Sequence, residues 1–428
     1  MKRVLTGLFF LFFSGRGFSQ IPSPTADSLR LTLPQAEAQF RKRNLSLLVT
    51  RLGIDEYRAY QAQAKLLANP TIYIEQMPYN RQTREFMPVG QNNSEQVIQV
   101  QQLLLLAGKR NKQLALAATN TRIAIDRFDD VVRTLSYQLR SAFYDLYYQQ
   151  QALSVYEQEM GTLSQTVTLY QQQYDKGNVP LKDLARLKAY LFNLSNERQQ
   201  RQAQIADDQA TLSVLLNTGA DQPIRPLLAI PDVEPQRNPA RLSPDSLIAA
   251  AERTRPDLRA YRDQVNAERQ NLLLQRAVAV PDLTIQGTYD RNAGYIPNYF
   301  GVGVGVALPF FNRNQGNIQA ARVRAQSSQQ LALAYGLQVE SDIQRSLTKA
   351  RQADQLYRTF DRQFNSDFGR LIEGVMLNYR KQNIDVVEFL DFFDSYKTSQ
   401  LQFIQLQNDR SQRLEELRLA IGSDPFAN

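Results

Sequence analysis

Between Lys109 and Tyr174, and again between Gln315 and Tyr379, the sequence runs without a proline and consists mainly of Ala, Leu, Gln, Arg and Glu. These are strong helix formers, so each stretch predicts one continuous helix. Some 65 residues at about 1.5 Å each make a rod of roughly 100 Å, longer than a compact domain can cover. Such a rod must pack against other long helices. Partners are encoded next to it, because breaks at Asp175 to Pro180 and Arg380 to Asp385 turn each rod back into a second helix ending near Gly219 or Gly422. Gln-rich surfaces leave these helices polar over much of their circumference. That suits a wall with water on both sides, and equally an ordinary coiled-coil surface.

Both rods belong to a direct repeat. Leu31, Asn44 and Pro70 recur as Leu242, Arg255 and Pro281 at an offset of 211; Leu103, Tyr174, Asn178 and Leu212 recur as Leu308, Tyr379, Asn383 and Leu417 at an offset of 205. The chain therefore divides into an N-terminal segment 1–19, a first repeat 20–218, a linker 219–241, a second repeat 242–422 and a tail 423–428. Each repeat opens with a helical pattern, from about Gln35 to Ala68 with a break at Asn44 in the first, closed by Pro70. Two short extended segments follow in each: Thr71 to Met77 and Gln96 to Leu103, then Asp282 to Asp290 and Tyr299 to Leu308. In the last of these, valines at 302, 304 and 306 alternate with glycines at 301, 303 and 305, so one face is β-branched and the other bare. Six prolines between 223 and 244 forbid a continuous helix in the linker.

After residue 19 no apolar run reaches the length of a membrane-spanning helix, so a membrane role would have to use strands. Four strands cannot close a barrel, and an open edge in lipid leaves backbone groups unpaired; several chains must then share one barrel. Residues 1–19 read as a secretory signal cleaved before Gln20, with Lys2 and Arg3 ahead of a mostly apolar stretch from Val4 to Phe13. Removing Lys2, Arg3 and Arg16 takes the net charge from +8 to +5, spread without a dense basic block, which argues against nucleic acid as a partner. The chain has no Cys, His or Trp. Thiol and imidazole catalysis are excluded, and so are Cys/His metal centres; carboxylate acid-base chemistry has no cleft, metal or nucleophile beside it in the sequence, so neither an enzyme nor a cofactor is expected.

Four segments carry a family resemblance. Tyr174-Asp175-Lys176-Gly177-Asn178 after the first rod, with Tyr379 through Asp391 after the second, resembles the TolC family of outer-membrane efflux factors. Leu106-Ala107-Gly108-Lys109-Arg110 and the run Phe311-Asn312-Arg313-Asn314-Gln315-Gly316 resemble its cobalt-zinc-cadmium (CzcC-like) branch. The resemblance spans nearly the whole chain. It implies a mainly α fold with a membrane β-barrel portion: a long α-helical coiled-coil barrel plus four β-strands per chain, closed as a trimer around a shared 12-stranded barrel. The linker becomes part of a belt at mid-height. Implied partners are two further copies of the chain, outer-membrane lipid, a periplasmic adaptor and an inner-membrane pump of the RND type. The cargo implied by the branch is heavy-metal cations, with drugs or other small molecules as the alternative; a secreted structural coiled coil is the reading outside the family.

The turns then acquire roles. Tyr174, Gly177, Asn178, Tyr379 and Asn383 would form the periplasmic tip that meets the adaptor, with Gly177 supplying a positive φ and Asn383 holding the turn in which Gln382 replaces that glycine. Gly108, Lys109, Arg110, Asn312, Arg313, Asn314, Gln315 and Gly316 would form the strand-to-helix turns, the asparagines capping and Gly316 relaxing the backbone. Asp385, Glu388, Asp391 and Asp394 recur every three residues, so each carboxylate falls behind the last around the helix and only neighbours share a face. Glu388 and Asp391 match the family's acidic pore constriction, with Asp183 the counterpart of Glu388 in the first repeat. A solvated acidic stripe is the plain alternative.

Overall fold

A computed structural model describes residues 28–89, 94–219, 221–228, 237–292, 296–360, 362–381 and 383–426. The expected signal segment 1–19, Gln382, residues 229–236 of the linker and the last two residues of the tail lie outside these. The first repeat runs β1 (Leu29–Thr32), α1 (Leu33–Arg43), α2 (Leu45–Gln63), β2 (Thr71–Gln76), β3 (Tyr79–Asn80), β4 (Glu85–Phe86), β5 (Gln96–Leu104), α3 (Lys109–Asp175) and α4 (Leu181–Leu216). The linker forms β6 (Ile224–Leu227) and a short 3-10 turn (Pro239–Arg241). The second repeat follows as α5 (Pro244–Thr254), α6 (Pro256–Val278), β7 (Leu283–Asn292), β8 (Pro297–Val306), α7 (Gln315–Thr359), α8 (Arg362–Arg380) and α9 (Val386–Ile421).

Four strands, two from each repeat, form one antiparallel sheet in the order β2-β5-β7-β8. Register decides what each face presents. Ile72 lies opposite Val100, Val100 opposite Gly287 and Gly287 opposite Val302; one pair along, Ile74, Ile98, Tyr289 and Phe300 align in the same way. This face is apolar. The other carries Tyr73, Gln99, Thr288 and Gly301, then Thr71, Gln101, Gln286 and Gly303, and is polar or bare. Side chains lie across the bare positions: a Cβ on Gly301 would sit 2.8 Å from the Tyr299 ring, and one on Gly303 2.7 Å from the Gln286 amide. The outer backbone edges of β2 and β8 have no partner strand among the described residues.

Below the sheet, α3 is the expected unbroken rod, but the second rod is not. It stops at Thr359, where Phe360 adopts an extended backbone (φ −69°, ψ 124°), and resumes as α8. Core positions give the reason. Leu139, Ala142, Phe143 and Leu146 recur as Ile343, Ser346, Leu347 and Ala350, 204 residues on, whereas Val167 and Tyr170 recur as Ile372 and Val375, 205 residues on. The upper rod thus departs from the offset of 205. The second copy holds one extra residue between these levels, and 3.6-residue periodicity cannot absorb it without turning the core face outward. Thr359-Phe360-Asp361 offers a β-branched and an aromatic residue before a residue type that favours helix starts. The Phe360 ring stacks on Phe403 of α9, with centroids 4.6 Å apart.

The entry helix of the first repeat also ends earlier than expected, at Gln63 rather than Ala68. The midpoint breaks of the entry helices do the same work in both repeats. The Asn44 side chain accepts from the Leu47 N–H (3.0 Å) and donates to the Leu215 carbonyl (2.9 Å); Arg255 donates to the Ala420 carbonyl (2.7 Å). Leu215 and Ala420 are equivalent positions in the last turns of the return helices, whose carbonyls would otherwise lack partners. β6 pairs in parallel with β1, so the linker is fastened to the first repeat.

The joint between repeats is α3 against α6, and it is ionic. Arg133 bonds Asp257 (3.0 Å), Arg259 bonds Asp126 (2.8 Å) and Asp129 (3.3 Å), and Arg122 bonds Asp263 (3.0 Å). Burial pushes the Asp257 carboxyl up, but hydrogen bonds from Arg255 and Tyr335 and the charge of Arg133 outweigh this and hold it at about 2. A depressed carboxyl stabilises the fold above its unfolded value and loses that contribution as pH falls through its folded one. Asp257→Asn should therefore lower stability by about 2 kcal/mol at neutral pH. The difference from wild type should shrink as pH falls from about 4 to about 2, measured by thermal unfolding in detergent.

Candidate functional site

At the end of the rods away from the sheet, two turns of one design meet. In the first, the Gly177 N–H donates to the Tyr174 carbonyl (2.8 Å) and the Asn178 N–H to that of Gln173 (2.9 Å), with Gly177 at φ 75°. In the second, the Asn383 N–H donates to the Asn378 carbonyl (2.9 Å), the same bond 205 residues on. Each Asn side chain repeats the link, Asn178 to the Gln173 side chain (2.7 Å) and Asn383 to that of Asn378 (3.2 Å). The bonds span five residues and satisfy the last carbonyls of each helix. The two tyrosines part company. Tyr174 is 36% exposed, whereas Tyr379 is 2% exposed and lies in the core beneath the turns, between Tyr170 (5.1 Å) and Phe389 (4.2 Å) in near-parallel stacks. Tyr379 therefore holds α8 to α9 and α3 instead of presenting a surface to a partner.

Phe389 continues to Phe393 and Tyr190, and this aromatic column fixes the rotation of α9. Val386, Phe389, Phe393 and Lys397 are its buried positions at this level, so Glu388 and Asp391 fall on the opposite side. Both are exposed, and neither carboxylate has a hydrogen-bonding or ionic partner among the described residues. Asp385 is spent on capping α9, accepting from the Val387 and Glu388 N–H groups (2.8 and 2.9 Å). Asp183 lies half-buried in the first turn of α4.

Three-residue spacing drifts around a helix, so the acidic row turns inward as it proceeds. Asp394 is already bonded to the Tyr190 hydroxyl (2.8 Å), and the next step, Lys397, is buried and reaches both Asp394 (3.1 Å) and Glu197 (3.0 Å). Lys397 was overlooked in the sequence, although its place one step beyond the fourth acid was a usable signal. Glu159 of α3 is buried near this ammonium. Burial pushes its carboxyl up to about 7, against the opposing pull of Lys397.

The strand-to-helix turns act as clamps. Asn314 occupies the N-cap position of α7 with φ 57°, yet its amide donates to the Gln275 carbonyl (2.8 Å) at the end of α6 rather than capping its own helix. Asn312 accepts from the Asn314 N–H (3.0 Å), Gln315 accepts from that of Arg313 (2.8 Å), and Gly316 lies inside the helix without a positive φ. In the first copy Ala107 (φ 54°) and Gly108 (φ 65°) are both left-handed, and Arg110 bonds the Lys65 carbonyl just beyond α2. Both turns thus pin the outgoing helix to the incoming one of its repeat. Buried Lys109 bonds the Val280 carbonyl (2.6 Å) and Asp282 (2.7 Å), fastening the first turn to the second hairpin. Among the described residues no group of three acidic side chains could hold a metal ion, and no helix is long and apolar enough to cross a membrane.

Residues 247–423 match the family model of outer membrane efflux proteins. The fold is shared with three solved structures: CusC, described with transmembrane channel formation (16% identity, TM-score 0.72, covering 91% of this chain and 92% of that one), the outer membrane protein VceC of Vibrio cholerae (16%, 0.71, 91% and 96%) and the outer membrane channel CmeC of Campylobacter jejuni (12%, 0.75, 91% and 85%). No curated protein matches the sequence. The family match falls on the second repeat, and neither it nor the shared fold divides one branch of that family from another.

A buried carboxyl with a raised value costs nothing while neutral; the cost grows as pH rises from about 4.5 to about 7 and is complete above that. Glu159→Gln should stabilise the protein by up to about 3 kcal/mol at pH 8. Near pH 4.5 it should have little effect, read from unfolding temperatures at the two pH values.

Proposed function

We propose that the chain is one protomer of a passive exit duct in the outer membrane of a Gram-negative bacterium, working as a trimer in a three-part efflux system. The observation that carries this is the four-stranded sheet, with one apolar face, one polar face and two open edges, set at the end of helices long enough to cross a periplasm. In lipid such edges are tolerated only when other strands complete them. Three chains supply twelve strands around a polar lumen, with residues 1–19 as the export signal. The turns around Gly177, Asn178 and Asn383 are the tip that meets a periplasmic adaptor, and an inner-membrane pump of the RND type supplies the energy. Resemblance of residues 311–316 to the cobalt-zinc-cadmium branch supports heavy-metal cations as the cargo.

Glu388 and Asp391 form the constriction, giving six carboxylates near the periplasmic mouth. Charges of one sign around a narrow passage reinforce each other, favour cations and hold multivalent ones long enough to obstruct flow. In planar bilayers at low salt, where screening is weak, a trivalent cation added from the periplasmic side should block wild-type channels. The Glu388→Gln, Asp391→Asn double mutant should relieve the block, and the near-isosteric amides on an exposed face should leave folding intact. Equal block in both would reduce the row to a solvated stripe.

A further inference from the structure

We infer that the face of α7 carrying Leu333 and Leu337 packs on α2 of a second copy, at Leu48 and Leu52, in the geometry by which α3 packs on α6 within one chain. This rests on the proposed assembly of copies and specifies its joint. The repeat supplies the template. At this level α7 is the equivalent of α3, offset by 204, and α2 is the equivalent of α6, offset by 211: buried Leu47 and Ile54 recur as Leu258 and Val265. Within the chain α3 lies along α6, whereas α2 and α7 make no comparable contact.

The residues mapped onto that missing contact are the ones left uncovered. Arg259 and Asp129, paired across the internal joint, correspond to Leu48 and Leu333; Arg133 corresponds to Leu337 and Asp263 to Leu52. These four leucines are 43–67% exposed in the isolated chain. Beside Leu333 and Leu337 a groove of about 820 Å³ runs between α6 and α7. An apolar row set in water favours association. The Arg259–Asp129 pair maps onto Leu48 and Leu333, while Asp257 and Arg122, the internal partners of Arg133 and Asp263, map onto Ser46 and Gln326, so Leu337 and Leu52 flank the leucine contact beside uncharged neighbours. The seam inside each chain is ionic, and the same seam between chains is centred on a leucine pair.

The test uses the full-length protein, which has no native Cys. Leu48→Cys and Leu333→Cys in one chain, treated in detergent with a short bis-maleimide, should give covalent species up to a trimer on a denaturing gel. A Leu48→Cys, Leu371→Cys control, with its second thiol far down the rod on α8, should stay monomeric. Particles that contain three chains by light scattering but give no inter-chain product would overturn the seam and leave the duct standing. Chains that never associate would overturn both. A charge swap supplies a second reading: Leu48→Arg or Leu333→Asp alone should lower the temperature at which the particle dissociates. The double mutant, which recreates the Arg259–Asp129 pairing, should recover most of the loss, whereas additive losses would contradict the seam.

Discussion

Unpaired backbone N–H and C=O groups cannot remain in hydrocarbon, and the sheet of this chain has two edges full of them. Much of the rest can be ordered from that one fact. Register across all four strands gathers most apolar residues on one face and most polar or bare positions on the other, the two-sided pattern that a sheet between lipid and water requires. Its open edges call for strands from further copies, and the proposed assembly supplies them as twelve strands from three chains. The long helices continue from the sheet as packed pairs, with hydrophobic clusters between them at the belt and near the tips.

Duplication explains how so elongated a chain is held together. Each repeat sets its incoming helix against its outgoing one by a clamp at the turn, Arg110 on the Lys65 carbonyl in one and Asn314 on the Gln275 carbonyl in the other. Each also ties its entry-helix break to the end of its return helix, through Asn44 or Arg255. The two repeats are then joined by arginine and aspartate along α3 and α6, and by Lys109 reaching Val280 and Asp282. If the same arrangement recurs between chains with leucines in place of those charges, acid would weaken the joint inside each chain and leave the joint between chains untouched.

What could be read from the sequence followed from periodicity and proline. Absent prolines marked the rods, Pro70 and Pro281 marked the hairpins, and the offset between copies located both tips and the Asn44–Arg255 equivalence. The break at Phe360 was hidden, because a one-residue insertion leaves composition unchanged and shows only when buried positions are compared at both levels. Tyr174 and Tyr379 looked alike for a related reason. Equal place in the repeat says nothing of rotation, and the aromatic column of Tyr170, Phe389 and Phe393 encloses only the second. Lys397 escaped notice because its burial depends on the drift of the acidic row, which carries Glu388 and Asp391 outward and the following cation into the core. Asn314 was assigned to capping, and does cap, but on the neighbouring helix.

Imaging single particles of the full-length protein in lipid nanodiscs tests the central claim most directly, because it shows where the edges of the sheet go. The account predicts one barrel of twelve strands within the lipid, β8 of each chain hydrogen-bonded to β2 of the next, above a helical tube whose constriction is lined by Glu388 and Asp391. A sheet that stays four-stranded on a single chain, or a closed barrel lying outside the lipid, would contradict it.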